Sequence, residues 1–148
     1  MRKIYLASSW RNENQPHVVQ LLRAIGHEVY DFHNPSPDNQ EFPWSEVDPN
    51  WKDWTPSEFA ANLYSSNSTI TKGFGLDLEG LHWCDTCICL LPSGRSAHLE
   101  AGWCIGNHKP TLFCLSQTQF EPELMYLLGY RVTNEYDMIS WLRRLEGV

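Results

Sequence analysis

The regular alternation of short apolar runs with amphipathic stretches is what most restricts the fold open to this chain. Ile4-Tyr5-Leu6-Ala7 stops at Ser8-Ser9, after which Val18, Leu21, Leu22 and Ile25 recur at i, i+3, i+4 and i+7. The first pattern predicts a strand and the second an amphipathic helix. Pro16 suits the first helical turn, where its missing N–H costs nothing, and Gly26 suits the left-handed position that closes a helix. A second strand is expected over His27 to Phe32. The strongest strand is Thr86-Cys87-Ile88-Cys89-Leu90-Leu91, ended by Pro92 and Gly94, and Thr111 to Leu115 forms another. Such continuous apolar runs suit a parallel sheet covered on both faces. Further helices are expected over Ser57–Tyr64 (capped by Ser57), Asp77–Trp83, Ser96–Ile105 and Glu121–Leu128. A short strand over Tyr130 to Thr133 and a terminal helix bearing Met138, Ile139, Trp141, Leu142 and Leu145 complete the series. This order implies right-handed βαβ units: an α/β fold with a doubly wound parallel sheet in a three-layer αβα arrangement. Ligands then bind beyond the carboxyl ends of the strands. The 148 residues, 42% hydrophobic and 20% charged, fit a single domain spanning 1–148.

Charge and composition narrow the partners. Eleven Lys and Arg stand against eighteen acids, net −7, without a basic cluster, so a groove that tracks a nucleic-acid polymer is not expected. No apolar run approaches the ~20 residues of a membrane span, and the opening residues turn polar too early for a signal peptide. A cytoplasmic protein acting on a small molecule, or on another protein, is the expectation. Five cysteines, an odd number in a chain of this length, read as reduced thiols.

The compositional oddity is aromatic. Three of seven tryptophans, Trp44, Trp51 and Trp54, fall within eleven residues of a stretch from Asn34 to about Pro56 that carries five prolines and fits no helical or strand period. It reads as a surface excursion. A long aromatic loop is costly to order unless it packs on something.

Three strand-end loops are the places to look for chemistry: Ser8 to Asn14, Asn34 to Pro56, and Ser93 to Glu100. Ser93-Gly94-Arg95-Ser96 joins a buried strand to a helix, so its backbone N–H groups suit an anion such as phosphate. It has neither the lysine of a P-loop nor the glycine spacing of a dinucleotide site. Glu100 lies in the first turns of that helix, where the dipole favours an ionised carboxylate. It is open to two readings, a nucleophile or a simple complement to the dipole; it adjoins the apolar face traced by Ala97, Ala101, Cys104 and Ile105. His82, Cys84, Cys87, Cys89 and His98 contain zinc-type ligands, but Cys87 and Cys89 alternate on a strand as small core residues do. No metal site is assigned and no cofactor is expected.

One stretch resembles a known family. Asp77-Leu78-Glu79-Gly80-Leu81, then Asp85, then Leu90-Leu91-Pro92-Ser93-Gly94-Arg95-Ser96-Ala97-His98-Leu99-Glu100-Ala101-Gly102 is similar to the nucleoside 2-deoxyribosyltransferase superfamily, which includes the deoxynucleotide and cytidylate N-glycosidases. Ile4 to Ser8 matches the family's first strand and loop, and the resemblance covers most of residues 3 to 115. It implies a flavodoxin-like fold that cleaves the N-glycosidic bond of a nucleoside or nucleotide. Glu100 occupies the position of the attacking carboxylate, which would form a covalent glycosyl ester released by a second base or by water. Asp77 matches the acid that holds the nucleoside and assists the base; its plainer reading is a helix N-cap. Asp85 reads as ending an element and is given no chemistry. Deoxyribosyltransferases proper often carry a further Asp six residues before the nucleophile, where this chain has Gly94 followed by Arg95 and Ser96. Exchange of negative charge for positive suits a 5′-phosphate.

By the same resemblance Tyr5, Ser8, Ser9 and Arg11 fall where sugar or phosphate contacts lie, against ordinary turn chemistry as the alternative. Trp44, Trp51 or Trp54 could stack on a base, or only pin the loop to the core. Homo-oligomers, dimers or larger, are expected, with Trp141 as apolar surface unless its helix packs on its own core. Three functions follow: transfer at the N-glycosidic bond, hydrolysis of a nucleoside 5′-monophosphate, or a non-catalytic module that senses a nucleotide.

Overall fold

Five strands pair in parallel: β1 (Lys3–Ala7), β2 (Glu28–Tyr30), β3 (Thr86–Leu90), β4 (Thr111–Cys114) and β5 (Tyr130–Val132), in the order β2-β1-β3-β4-β5. This is the flavodoxin-like order, with its topological switch point between β1 and β3. Ile4 pairs with Thr86 and Ala7 with Cys89, while Leu90 pairs with Cys114. The computed structural model describes residues 1–35, 42–64 and 68–148 and groups them in two compact units, 1–31 with 83–148, and 32–82.

In the first unit the strand side chains alternate between two helical layers. Ile4, Leu6, Ile88, Leu90, Leu112 and Cys114 meet Val18, Val19 and Leu22 of α1 (Gln15–Ala24) and Met138, Trp141 and Leu142 of α6 (Glu135–Leu145). On the other face, α5 (Arg95–Gly106) packs on β1, β3 and β4 through Ala97, Ala101 and Cys104, all buried. Trp141 is therefore core, held between Met138 and Leu142, and offers no surface for a partner. Pro16 sits in the first turn of α1, and Gly26 closes it at φ +97°, as the sequence pattern requires.

Between Asn34 and Pro56, residues 36–41 lie outside the described residues; the rest holds a short helix, α2 (Trp44–Val47), and a 3-10 turn, Trp51–Asp53. The following helix, α3 (Pro56–Tyr64), is capped by Thr55 and not by Ser57. Glu58 donates its backbone N–H to the Thr55 hydroxyl at 3.2 Å, and the Glu58 carboxylate accepts the Thr55 N–H at 2.6 Å, a reciprocal capping box. Helix α4 runs from Ser68 to Trp83, not from Asp77, so Asp77 stands mid-helix and not at its N-cap. Gly73 conceals its first half from a propensity reading. A Cβ there would lie 2.5 Å from the Phe42 ring, so the glycine is a seat for that ring.

The helix expected over Glu121–Leu128 is reduced to a 3-10 turn, Leu124–Leu128. Pro122 removes a donor and restrains the residue before it, and the segment buries only Tyr126.

Candidate active site

The loops after β1 and β3 converge at the switch point. The Ser8 hydroxyl donates to the Leu90 carbonyl at 2.8 Å, and the buried Asn12 amide donates to the carbonyls of Leu90 (3.4 Å) and Pro92 (3.3 Å). The Asn12 side-chain oxygen accepts the Asn14 N–H at 3.0 Å, an Asx turn at the entrance to α1. Asn12 thus stitches the two loops, a role no sequence pattern marked; its only local trace was that turn. Ser9 is engaged in its own turn, its hydroxyl accepting the Arg11 N–H at 3.1 Å and its carbonyl accepting the Asn12 N–H at 3.0 Å. Arg11 is exposed at the rim. Tyr5 is fully buried and stacks on Tyr30, ring centroids 4.9 Å apart.

Helix α5 opens at Gly94 in an extended conformation, φ −86° and ψ −167°, with no side chain accepting from its first N–H groups and no acid in its first turn. A Cβ added to Gly94 would meet nothing within 4 Å, so the missing side chain here is a matter of chemistry and not of space. Arg95 and Ser96 are exposed beside these amides. The helix dipole and the Arg95 charge both favour an anion at this end.

Glu100, half-buried, lies one and a half turns on, beside the buried Ala97, Ala101 and Cys104. Burial pushes the Cys89 thiol up to about 12, opposed by the Ser93 hydroxyl at 3.6 Å and reinforced by the Glu100 charge. The Cys87 thiol is also raised: its hydrogen bond with Cys104 is outweighed by burial, the neighbouring thiols and Glu100. The Glu100 charge is therefore near enough to Cys87 and Cys89 of β3 to disfavour their thiolates. Along the other flank of α5 runs a groove of about 970 Å³ lined by Ser93, Arg95, His98, Phe113, Met125 and Tyr126. Glu100 does not line it.

The remaining sequence candidates belong to the second unit. Trp44 stands edge-on to Phe42 (5.3 Å between centroids), Trp54 (5.8 Å) and Phe59 (6.0 Å). The Trp54 indole N–H donates to Asp48 Oδ2 at 2.7 Å; with the Asn50 N–H, this holds the Asp48 carboxyl below its ordinary value. Trp51 is outside this ring cluster among the described residues; the Lys52 ammonium lies 5.6 Å from its ring centroid. Asp77 is half-buried on α4.

None of the five cysteines is in a disulfide, and all are buried. Among the described residues no group of three His, Cys, Asp or Glu side chains is placed to hold a metal ion, and no helix is long and apolar enough to cross a membrane. Asp85 accepts from the Lys3 N–H at 3.2 Å and pairs with Arg2 at 3.0 Å, at the amino end of β3 and away from the switch point.

A parallel sheet in the order β2-β1-β3-β4-β5 with helices on both faces places the chain among flavodoxin-like α/β proteins. No protein-family model matches it, and no curated protein matches it in sequence. Among solved structures it is similar to a 2-deoxyribosyltransferase from Bacillus psychrosaccharolyticus, with TM-score 0.59 and 23% identity over 91% of this chain and 88% of that one. It is also similar to a conserved protein from Enterococcus faecalis V583 (TM-score 0.64, 14% identity, 97% and 98% covered). A CMP N-glycosidase from Clostridium botulinum gives a TM-score of 0.52 and 17% identity, with 96% and 98% covered. At these identities the likeness is one of fold.

Proposed function

We propose that the chain cleaves the N-glycosidic bond of a (deoxy)nucleoside or nucleotide, with Glu100 as nucleophile. The observation that supports this is the setting of Glu100: half-buried on α5, the helix that follows β3, beside the buried Ala97, Ala101 and Cys104. A carboxylate oxygen of Glu100 attacks the anomeric carbon, the C–N bond breaks, and its electron pair leaves with the base nitrogen. That nitrogen takes a proton, a step for which the resemblance nominates Asp77. Water or a second base then attacks the same carbon and frees the carboxylate.

Hydrolysis of a 5′-monophosphate is the form of this reaction favoured by the uncapped opening of α5 with Arg95 beside it. Gly94→Asp separates the two forms. The introduced carboxylate would cap α5 and so preserve or raise stability, while occupying the N–H groups that a phosphate needs. Expected is a loss of monophosphate turnover with nucleoside turnover kept. Self-association belongs to the same proposal and draws support from the exposed Leu124, Met125, Leu127 and Leu128.

The deciding experiment incubates the protein with a panel of nucleosides and 5′-monophosphates, with and without a second base, and follows free and exchanged base. Release that falls by roughly three orders of magnitude or more in Glu100→Gln supports the assignment. No release from any substrate overturns it, and nucleotide binding without release, unchanged in Glu100→Gln, identifies a sensor instead.

A further inference from the structure

At Asn12 two strand ends are joined by a side chain and not by backbone. Strands β1 and β3 pair from Ile4–Thr86 to Ala7–Cys89 and then part. On its other side β3 stays paired with β4, Leu90 opposite Cys114 and the Leu91 N–H donating to the Cys114 carbonyl at 3.0 Å. The parting of two neighbouring strands is what opens a crevice at a switch point. The Leu90 and Pro92 carbonyls lie beyond the last β1 pair, and both accept from the amide nitrogen of Asn12, at 3.4 and 3.3 Å. The Ser8 hydroxyl is a second donor to Leu90, at 2.8 Å. Side chains of the β1 loop thus take over where the backbone ladder ends.

The orientation of the Asn12 amide is fixed by its partners. A backbone N–H only donates and a carbonyl only accepts, so the atom 3.0 Å from the Asn14 N–H is Oδ1, and the atom facing Leu90 and Pro92 is Nδ2. The backbone of Asn12 is committed as well. Its N–H donates to the Ser9 carbonyl at 3.0 Å, and its carbonyl accepts at 3.1 Å from Gln15, the first residue of α1. Only 6% of its surface is exposed, so these bonds are made away from water. One end of the residue therefore shapes the turn that carries Ser9 and Arg11. The other grips the segment leading from β3 into α5, the helix of Glu100.

We propose that Asn12 is a positioning residue for the reaction above: its amide fixes the separation between the Ser8–Arg11 turn and the β3 end from which the helix of Glu100 starts. This rests on the N-glycosidic reading of the site. Asn12 does not touch the reacting atoms, because its polar groups are spent on the protein. Nucleophilic attack needs reacting atoms held about 3–3.5 Å apart, and a displacement of about 1 Å costs on the order of a hundredfold in rate. The effect of Asn12 accordingly falls on kcat.

Asn12→Asp is the most informative variant. It keeps the shape and the acceptor for the Asn14 N–H but turns an oxygen toward two carbonyl oxygens. Protonation of the new carboxyl restores one donor, and burial raises the pH at which that happens. Asn12→Leu has no proton to regain, and Asn12→Ser is a milder change that suits a turn. Base release is followed from 2′-deoxyadenosine, 2′-deoxycytidine and their 5′-monophosphates, with kcat expressed per folded molecule after urea unfolding of each variant. Expected in Asn12→Asp is a kcat lowered about tenfold or more near pH ~8, narrowing to about threefold or less relative to wild type near pH ~5. The deficit of Asn12→Leu should be the same at both pH values, and that of Asn12→Ser smaller. A kcat per folded molecule within about twofold of wild type in all three, with stability alone reduced, would make Asn12 a purely structural tie and overturn the proposal. So would a raised KM at unchanged kcat, or a deficit in Asn12→Asp that ignores pH. If wild type releases no base from any of the four probes, the N-glycosidic reading fails and this inference falls with it; if wild type releases base and the variants match it, the role of Asn12 alone is refuted.

Discussion

The unit of residues 1–31 and 83–148 is built on aliphatic side chains buried between sheet and helices: Ile4, Leu6, Ile88 and Leu112 on the strands and Leu142 on α6 expose nothing. In residues 32–82 the equivalent place is taken by rings meeting edge to face, Phe42, Trp44, Trp54 and Phe59, each still partly open to solvent. A parallel sheet can bury a side chain on both faces at once, whereas the short segments around Trp44 and Trp54 rely on the area and quadrupole of a few large rings. The first unit accordingly carries Glu100, the nucleophile proposed above. The second carries large apolar surface whose order depends on few contacts, the usual condition for local opening at lower free energy.

The contrast can be broken or sharpened by experiment. Ile88→Ala leaves a cavity in the sheet core and is expected to cost about 2–5 kcal/mol in urea unfolding. Trp44→Ala removes a half-buried ring and several edge contacts, and about 2 kcal/mol is expected. Hydrogen exchange should report that loss in the amides of α3, with those of β3 protected as in wild type. Equal loss in β3 would dissolve the distinction between the two units. Thr55→Ala should destabilise α3 by about 1 kcal/mol, while Ser57→Ala stays within a few tenths, since the cap is formed by Thr55 and Glu58.

The smallest effect concerns His27 in the sheet unit. Its Nδ1 accepts the Arg2 N–H at 3.1 Å, and burial lowers its pKa below 6.5 against the opposing pull of Glu146. The unfolded chain therefore takes up a proton before the folded one does. Stability should decline as pH falls from about 6.5 to the lower folded value and lose nothing further from this group below it. His27→Asn should remove that decline; an unchanged pH profile in urea unfolding would sink the assignment.

Much of this molecule is legible locally. The strands at Ile4, Ile88 and Leu112, the helices that separate them, Pro16 at the start of α1 and Gly26 at its end all follow from periodicity and backbone preference. So does the candidacy of Ser93 to Ser96 and Glu100, because a loop that follows a buried strand and opens a helix is a local pattern. Misreadings arose where a local signal was ambiguous. Gly73 looks like an interruption until the Phe42 ring is seated on it, Ser57 competes with Thr55 two residues away, and Pro122 cuts short an otherwise helical composition.

What only the tertiary structure decided are the pairings across long stretches of chain. Asn12 reaches the Leu90 carbonyl across 78 residues and His98 reaches Tyr126 across 28, and neither partner carries any mark of the other in its own neighbourhood. The reason is physical. Hydrophobic period and turn chemistry act between residues a few positions apart, so the sequence determined which elements form and in what alternation. A side chain's hydrogen-bond partner in a loop depends on strand order and register, and these exist only once the sheet has assembled.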